Sequence, residues 1–154
     1  MKKILSIIIL FLSTINVSAN DINIELDKLF LELKKNIPSL SSGIAQQIWV
    51  LWSTHPTDQK LTSLLDEGSR LVIDQQLNRA IDVFTEAIEL DPNWAEAWNK
   101  RATVFYMVGE FQKSQDDIDK VLELEERHFG ALAGQGMVNI KLKNYDKAKR
   151  SYQK

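Results

Sequence analysis

The side chains that most often carry reactions are few in this chain, and their spacing works against the common sites. There is no cysteine, which removes thiolate nucleophiles, thiolate zinc ligands and disulfides together. The two histidines are His55, in a proline-containing linker, and His128, at a junction between helical patterns. Neither has a second histidine at ligand spacing, so no metal site is expected. No Gly-x-Ser-x-Gly elbow, phosphate loop or dinucleotide fingerprint occurs. The glycines between Gly130 and Gly136 fall inside a helical pattern and read as close-packing positions. Acidic residues gather from Glu110 to Glu126 around Asp116, Asp117 and Asp119, and basic ones from Lys141 to Lys154. A calcium ion or a basic partner is the sharp reading of the first cluster, and phosphate or an acidic partner that of the second. The acidic run lacks the central glycine and distal glutamate of a calcium loop. Both clusters read more simply as solvated faces of neighbouring helices, attracting each other by tenths of a kcal/mol per pair. The expectation is a protein with no catalytic residue, no cofactor and no metal.

The elements therefore have a surface to position rather than a reaction. The chain has 154 residues, 44% of them hydrophobic, with 19 basic against 21 acidic side chains and a formal charge of -2. That balance supplies no whole-chain field of the kind a nucleic-acid binder uses. Residues 1–19 read as an export signal, with Lys2 and Lys3 ahead of an apolar run from Ile4 to Ile15, then Val17-Ser18-Ala19 as a cleavage site. The cut is expected after Ala19, placing the mature protein in the periplasm or outside the cell with no stable membrane insertion. A spanning helix needs about 20 apolar residues, and this run is shorter. Without cysteine there is neither a lipid anchor nor a disulfide, so packed apolar faces must supply the stability.

Those faces repeat with a period of 34 residues when the chain is aligned from Leu61, Ala95 and Phe129. Leu64, Trp98 and Leu132 share the fourth place, all large. Gly68, Ala102 and Gly136 share the eighth, all small. Ala80, Ser114 and Ala148 share the twentieth, and Phe84, Ile118 and Tyr152 the twenty-fourth. These spacings place the residues on one face of each of two amphipathic helices per unit. Small side chains let the two helices approach, and large ones fill the flanks.

The pattern resembles the tetratricopeptide repeat. Ala87 and Val121 stand at the small or branched twenty-seventh place, Asp91-Pro92 closes the first unit with a helix-stopping proline, and Gly109-Glu110-Phe111 is similar to the family's turn between helices. Glu126 replaces the proline in the second unit, and Asn139 stands at the eleventh place where Leu71 and Phe105 are apolar. The resemblance implies an all-α fold, an α-solenoid of helix-turn-helix units. Its expected divisions are a signal at 1–19, a helical cap at 20–60, repeats at 61–94 and 95–128, and an incomplete third at 129–154. In the cap, Leu26 to Lys34 and Ile44 to Trp52 read as two helices covering the first unit's apolar side, with Trp49 and Trp52 as glue to the first repeat. At the other end Lys154 falls inside the third unit's second helix. The expectation there is an incomplete gene product, or coverage of that end by a partner or a second copy.

The resemblance also implies where function resides. First helices of successive units line a concave surface that holds a peptide or helix, here through Leu65, Ser69 and Val72, then Asn99, Thr103, Tyr106 and Met107, then Met137 and Ile140. The structural places are Gly68, Ala80, Phe84, Ala87, Pro92, Trp98, Ala102, Gly136, Ala148 and Tyr152. Some family members grip a terminal carboxylate with lysine, asparagine and arginine at the fifth and ninth places. Those places read Leu65 and Ser69, Asn99 and Thr103, Ala133 and Met137, so that grip is missing. A neutral groove suits an amphipathic segment, foreign or the chain's own Leu26 to Lys34 helix. The expected role is a non-enzymatic interaction module of the bacterial envelope binding an unidentified protein or amphipathic peptide, with an accessory subunit of an envelope enzyme or assembly complex as the alternative.

Overall fold

The computed structural model describes residues 19–153. The expected export signal and its cleavage site therefore lie almost wholly outside the described residues. Eight helices follow one another: α1 (Ala19–Leu33), α2 (Pro38–Ser53), α3 (Gln59–Ile73), α4 (Leu77–Leu90), α5 (Ala95–Met107), α6 (Phe111–Leu124), α7 (Phe129–Lys141) and α8 (Tyr145–Ser151). There is no strand among the described residues. No described helix is long and apolar enough to cross a membrane.

From α3 onward the helices pair in order, and each pair follows the 34-residue period. Each pair turns through one residue in the left-handed region: Gln75 (φ 58°), Gly109 (φ 83°) and Lys143 (φ 62°), all at the fifteenth place. Gly109 does this without steric cost, whereas a side chain there is strained. Between units the thirty-first place works the same way twice. Asp91 caps α4 and accepts from the Asn93 N–H at 2.9 Å, and Glu125 caps α6 and accepts from the Arg127 N–H at 3.0 Å. The turn where Glu126 replaces the proline is thus closed by the carboxylate before it.

The eighth and twenty-fourth places meet inside each unit. A Cβ on Gly68 would collide with the Phe84 ring, and one on Gly136 with the Tyr152 ring. Leu61, Leu64, Leu71, Ala80, Phe84, Ala87, Ile88 and Trp94 form the first unit's core, which continues into Ala97 and Val104 of the second. Ala102, Ile118, Val121, Ala131 and Val138 form the next. Ala148 is buried as expected. Pro92 is exposed in the turn, Trp98 is half-buried between the two cores with its indole N–H on the Pro92 carbonyl at 3.0 Å, and Tyr152 stays 56% exposed over Gly136.

Asn139, the apolar place turned polar, is fully buried in a hydrogen-bonded ladder. Its amide donates to Gln115 Oε1 at 2.6 Å and to the Gln135 carbonyl at 2.8 Å. The Gln115 and Gln135 amides both donate to Asp119, and the Ser151 hydroxyl donates to Gln135 Oε1. The third unit therefore packs through paired polar groups, although Asn139 Oδ1 is buried there without a hydrogen-bond partner.

The α1–α2 hairpin departs from expectation. Its core of Leu26, Leu29, Ile48 and Trp52 recruits Phe129 from the third unit, and none of the first unit's core residues joins it. Trp52 does meet the first repeat, at its last residue Trp94, whose indole N–H donates to the Trp52 carbonyl, and Trp49 and Trp52 reach beyond it to His128 at the end of the second. The reason is geometric: the junctions that open α5 and α7 present aromatic rings at matching height, Trp94 and His128, both at the thirty-fourth place.

Candidate functional site

The first helices of the units approach one another, α3 against α5 and α5 against α7, while no comparably close approach joins the second helices. The sheet of helices therefore curves with α3, α5 and α7 on its concave side. Two regions of that side differ in chemistry.

The first is the end where α5 and α7 begin, and the hairpin lies on it. The Trp52 ring stacks on His128 with centroids 4.0 Å apart and planes 13° from parallel. Trp49 meets His128 and Phe129 edge-on at 5.5 Å and 5.2 Å. The Trp94 indole N–H donates to the Trp52 carbonyl at 2.9 Å. His128 Nδ1 accepts from the Ala131 N–H, so its proton sits on Nε2 and is donated to Glu96 Oε2 at 2.9 Å. Glu96 and His128 are both buried, and the Asn99 amide also donates to Glu96 Oε2. Gly130 belongs to this contact, since a Cβ there would fall 2.6 Å from the Trp49 ring. At the rim, Arg127 reaches Asp27 of α1 at 2.7 Å and covers the Phe30 ring at 4.5 Å. Burial alone would raise the Glu125 pKa, but hydrogen bonds and charge from Arg127 outweigh it and hold that carboxyl below its usual value.

The second region, further along α5 and α7, is open. A crevice of about 90 Å³ is lined by Asn99, Thr103, Tyr106, Gly134 and Met137 with the floor supplied by Ala102 and Ile118. Met107, Met137 and Ile140 beside it are each between 44% and 48% exposed, and Ile73 on α3 is 77% exposed. No charged residue lines the crevice.

Of the residues expected to form the groove, Thr103, Tyr106, Met107, Met137 and Ile140 share this open stretch. Ser69 and Val72 lie further off on α3, half-buried, with the Ser69 hydroxyl turned back onto the Leu65 carbonyl. Leu65 does not serve: it is 2% exposed in the first unit's core and offers a ligand no surface. Asn99 is largely withdrawn, because its amide holds Glu96. Sequence reasoning missed His128 and Arg127 as contact residues. The available signal was the recurrence of aromatic rings at the thirty-fourth place.

The groups that could do chemistry are spoken for structurally. His55 accepts the Asp58 N–H on Nδ1 and donates from Nε2 to Asp91 at 2.9 Å, fastening the linker before α3. Within the acidic cluster Asp117 is locked by a bidentate Arg101 at 2.8 Å; burial pushes its pKa up despite that guanidinium. Arg101 itself lies over the Trp98 and Phe105 rings. Across the two charge clusters Lys147 reaches Asp119 at 3.5 Å. Among the described residues no group of three or more potential ligands is arranged to hold a metal ion.

Paired antiparallel helices stacked on a fixed period, with a concave face lined by the first helix of each pair, define an α-solenoid of helical-hairpin repeats. The chain belongs to the tetratricopeptide-repeat family. The TPR repeat model matches residues 68–109 and the tetratricopeptide repeat model residues 130–154. A TPR repeat-containing protein of Rhizobium etli is 39% identical over 115 residues, covering 73% of this chain and 55% of that protein. Hsp70-Hsp90 organizing protein 3 of Arabidopsis thaliana is 27% identical over 88 residues, 57% of this chain and 16% of that one. The chain thus spans about half the length of the first of these relatives and a small part of the second. Among solved structures, the second TPR of Spaghetti (RPAP3) bound to the HSP90 peptide SRMEEVD superposes with a TM-score of 0.60 at 22% identity, over 62% of this chain and 88% of that one. MamA superposes at 0.58 and 19% identity, over 87% and 75%. This is a fold that supports protein–protein interaction.

Proposed function

We propose that this chain is a non-enzymatic interaction module that receives the apolar face of a helix from another protein along the open stretch of its concave side. The observation that carries this is the uncharged crevice between α5 and α7 together with the half-exposed Met107, Met137 and Ile140 around it. Methionine and short polar side chains adapt to a helix face, and such a face buries apolar area at about 25 cal/mol per Å². The repeat of Spaghetti is described with the peptide SRMEEVD, whose letters make it acidic. Here Ser69, Thr103, Ala133 and Met137 stand where a cation would meet a terminal carboxylate, so an apolar rather than an acidic partner suits this groove.

The export signal read in residues 1–19 supports work in the bacterial envelope, either alone or as an accessory subunit of an envelope enzyme or assembly. Fractionation and N-terminal sequencing test that placement: a periplasmic species beginning at Asn20 is expected, and a full-length cytoplasmic one would refute it. The binding reading is tested by a photo-crosslinking residue at Thr103 in living cells. A defined partner supports it; the absence of both a specific partner and a self-crosslink would overturn it.

A further inference from the structure

We infer that the α1–α2 hairpin is a displaceable internal ligand of the concave face, occupying the start of α5 and α7. The partner that replaces it presents a helix with two aromatic side chains one turn apart and a carboxylate placed to meet Arg127. This rests on the reading of the concave side as the binding side.

The hairpin behaves as an occupant. It lodges on the junctions that open α5 and α7, where Trp52 is held by Trp94 on its carbonyl and by His128 on its ring. Two equivalent places in successive repeats thus grip one residue, one by its carbonyl and one by its ring, as a repeat surface grips a ligand. Trp49 and Trp52, three residues apart, share one helical face, and Gly130 leaves the space that Trp49 fills.

It is also built to leave. It has its own core in Leu26, Leu29 and Ile48. Residues 54–58 join it to α3 without helix, and His55 ties that linker to Thr62 and Asp91, so α3 stays in place when the hairpin moves. The docked state keeps one buried donor, Trp52 Nε1, without a hydrogen-bond partner. A foreign helix that satisfies its own polar groups competes without that penalty. The Asp27–Arg127 pair lies partly in solvent and shows the charge a competitor would carry. The tether gives the hairpin a high effective concentration, so the bare repeats bind far more tightly than the intact chain.

The test uses a fluorescein-labelled peptide of residues 20–53, followed by anisotropy, against three full-length proteins. Trp49→Ala with Trp52→Ala frees the surface without altering it and should bind the peptide at least tenfold more tightly than the unaltered chain. Adding Gly130→Leu fills the Trp49 space and should remove the gain, while hydrogen exchange reports whether α5 to α7 stay folded. Equal binding to the first two proteins overturns the inference, as does a gain that survives Gly130→Leu. Loss of protection throughout α5 to α7 in the double variant also overturns it, by making the hairpin part of the repeat core. No foreign partner enters this experiment, so its failure is distinct from a failed Thr103 crosslink.

Discussion

At Gln75 and Lys143 the backbone takes the left-handed conformation that Gly109 takes in the equivalent turn. A side chain in that region is strained by about 1 kcal/mol. Gln75→Gly and Lys143→Gly are therefore expected to raise stability by about 0.5 to 1 kcal/mol, and Gly109→Ala to lower it by about 1 kcal/mol, measured by urea unfolding. Of the three turns only Gly109 was legible in the sequence, because the other two are imposed by the helix pair and carry no local signal. The titrating groups give a second test. Glu125 is held below its usual value mainly by Arg127 against the opposing effect of burial. An acid lowered in the fold stabilises it above the unfolded value and loses that contribution as pH falls through the folded one. Stability of the α6–α7 turn should fall on acidification below about pH 4.5, and Glu125→Gln should flatten that limb of the pH profile. An unchanged profile would remove Glu125 from the account.

Pairs of helices show how far sequence periodicity reaches. The small eighth place and large twenty-fourth were readable, and the rings of Phe84 and Tyr152 do lie over Gly68 and Gly136. Their energetics differ, because Phe84 is 1% exposed and Tyr152 56%. Gly68→Ala forces the buried ring to move and should cost about 1 to 3 kcal/mol, while Gly136→Ala should cost much less since Tyr152 can swing outward. Phe84→Ala is expected to cost about 3 to 5 kcal/mol in the same unfolding experiment. What periodicity could not show is the polar ladder from Gln115 through Asn139 to Ser151. Asn139 reads as a polar residue at an apolar place, and its partners, Gln115 on α6 and the Gln135 carbonyl one turn back on α7, carry no apolar periodicity that would announce them. For the same reason Leu65 was assigned to the groove: a place in the repeat gives a helix face, but the depth at which that face sits depends on the neighbouring helix.

Across the whole molecule the solenoid followed from one sequence and the hairpin's position did not. Contacts such as Trp52 on His128 join residues far apart in the chain, and no local spacing encodes them. The hairpin divides the concave side into an occupied end, aromatic and polar, and an open neutral stretch around Thr103 and Met137. Leaving Trp52 Nε1 unpaired costs the docked hairpin about 1 to 3 kcal/mol. The proposed function makes binding a property of the curved face, while the outer helices present charged residues such as Asp82, Glu86 and Glu89 to solvent.

Photo-crosslinking from matched inner and outer positions tests that claim most directly, with the reactive residue placed in turn at Thr103, Met137 and Asp82. The account predicts the same partner from Thr103 and Met137 and none from Asp82. Recovery of that partner from Asp82 alone, or equally from all three, would contradict it.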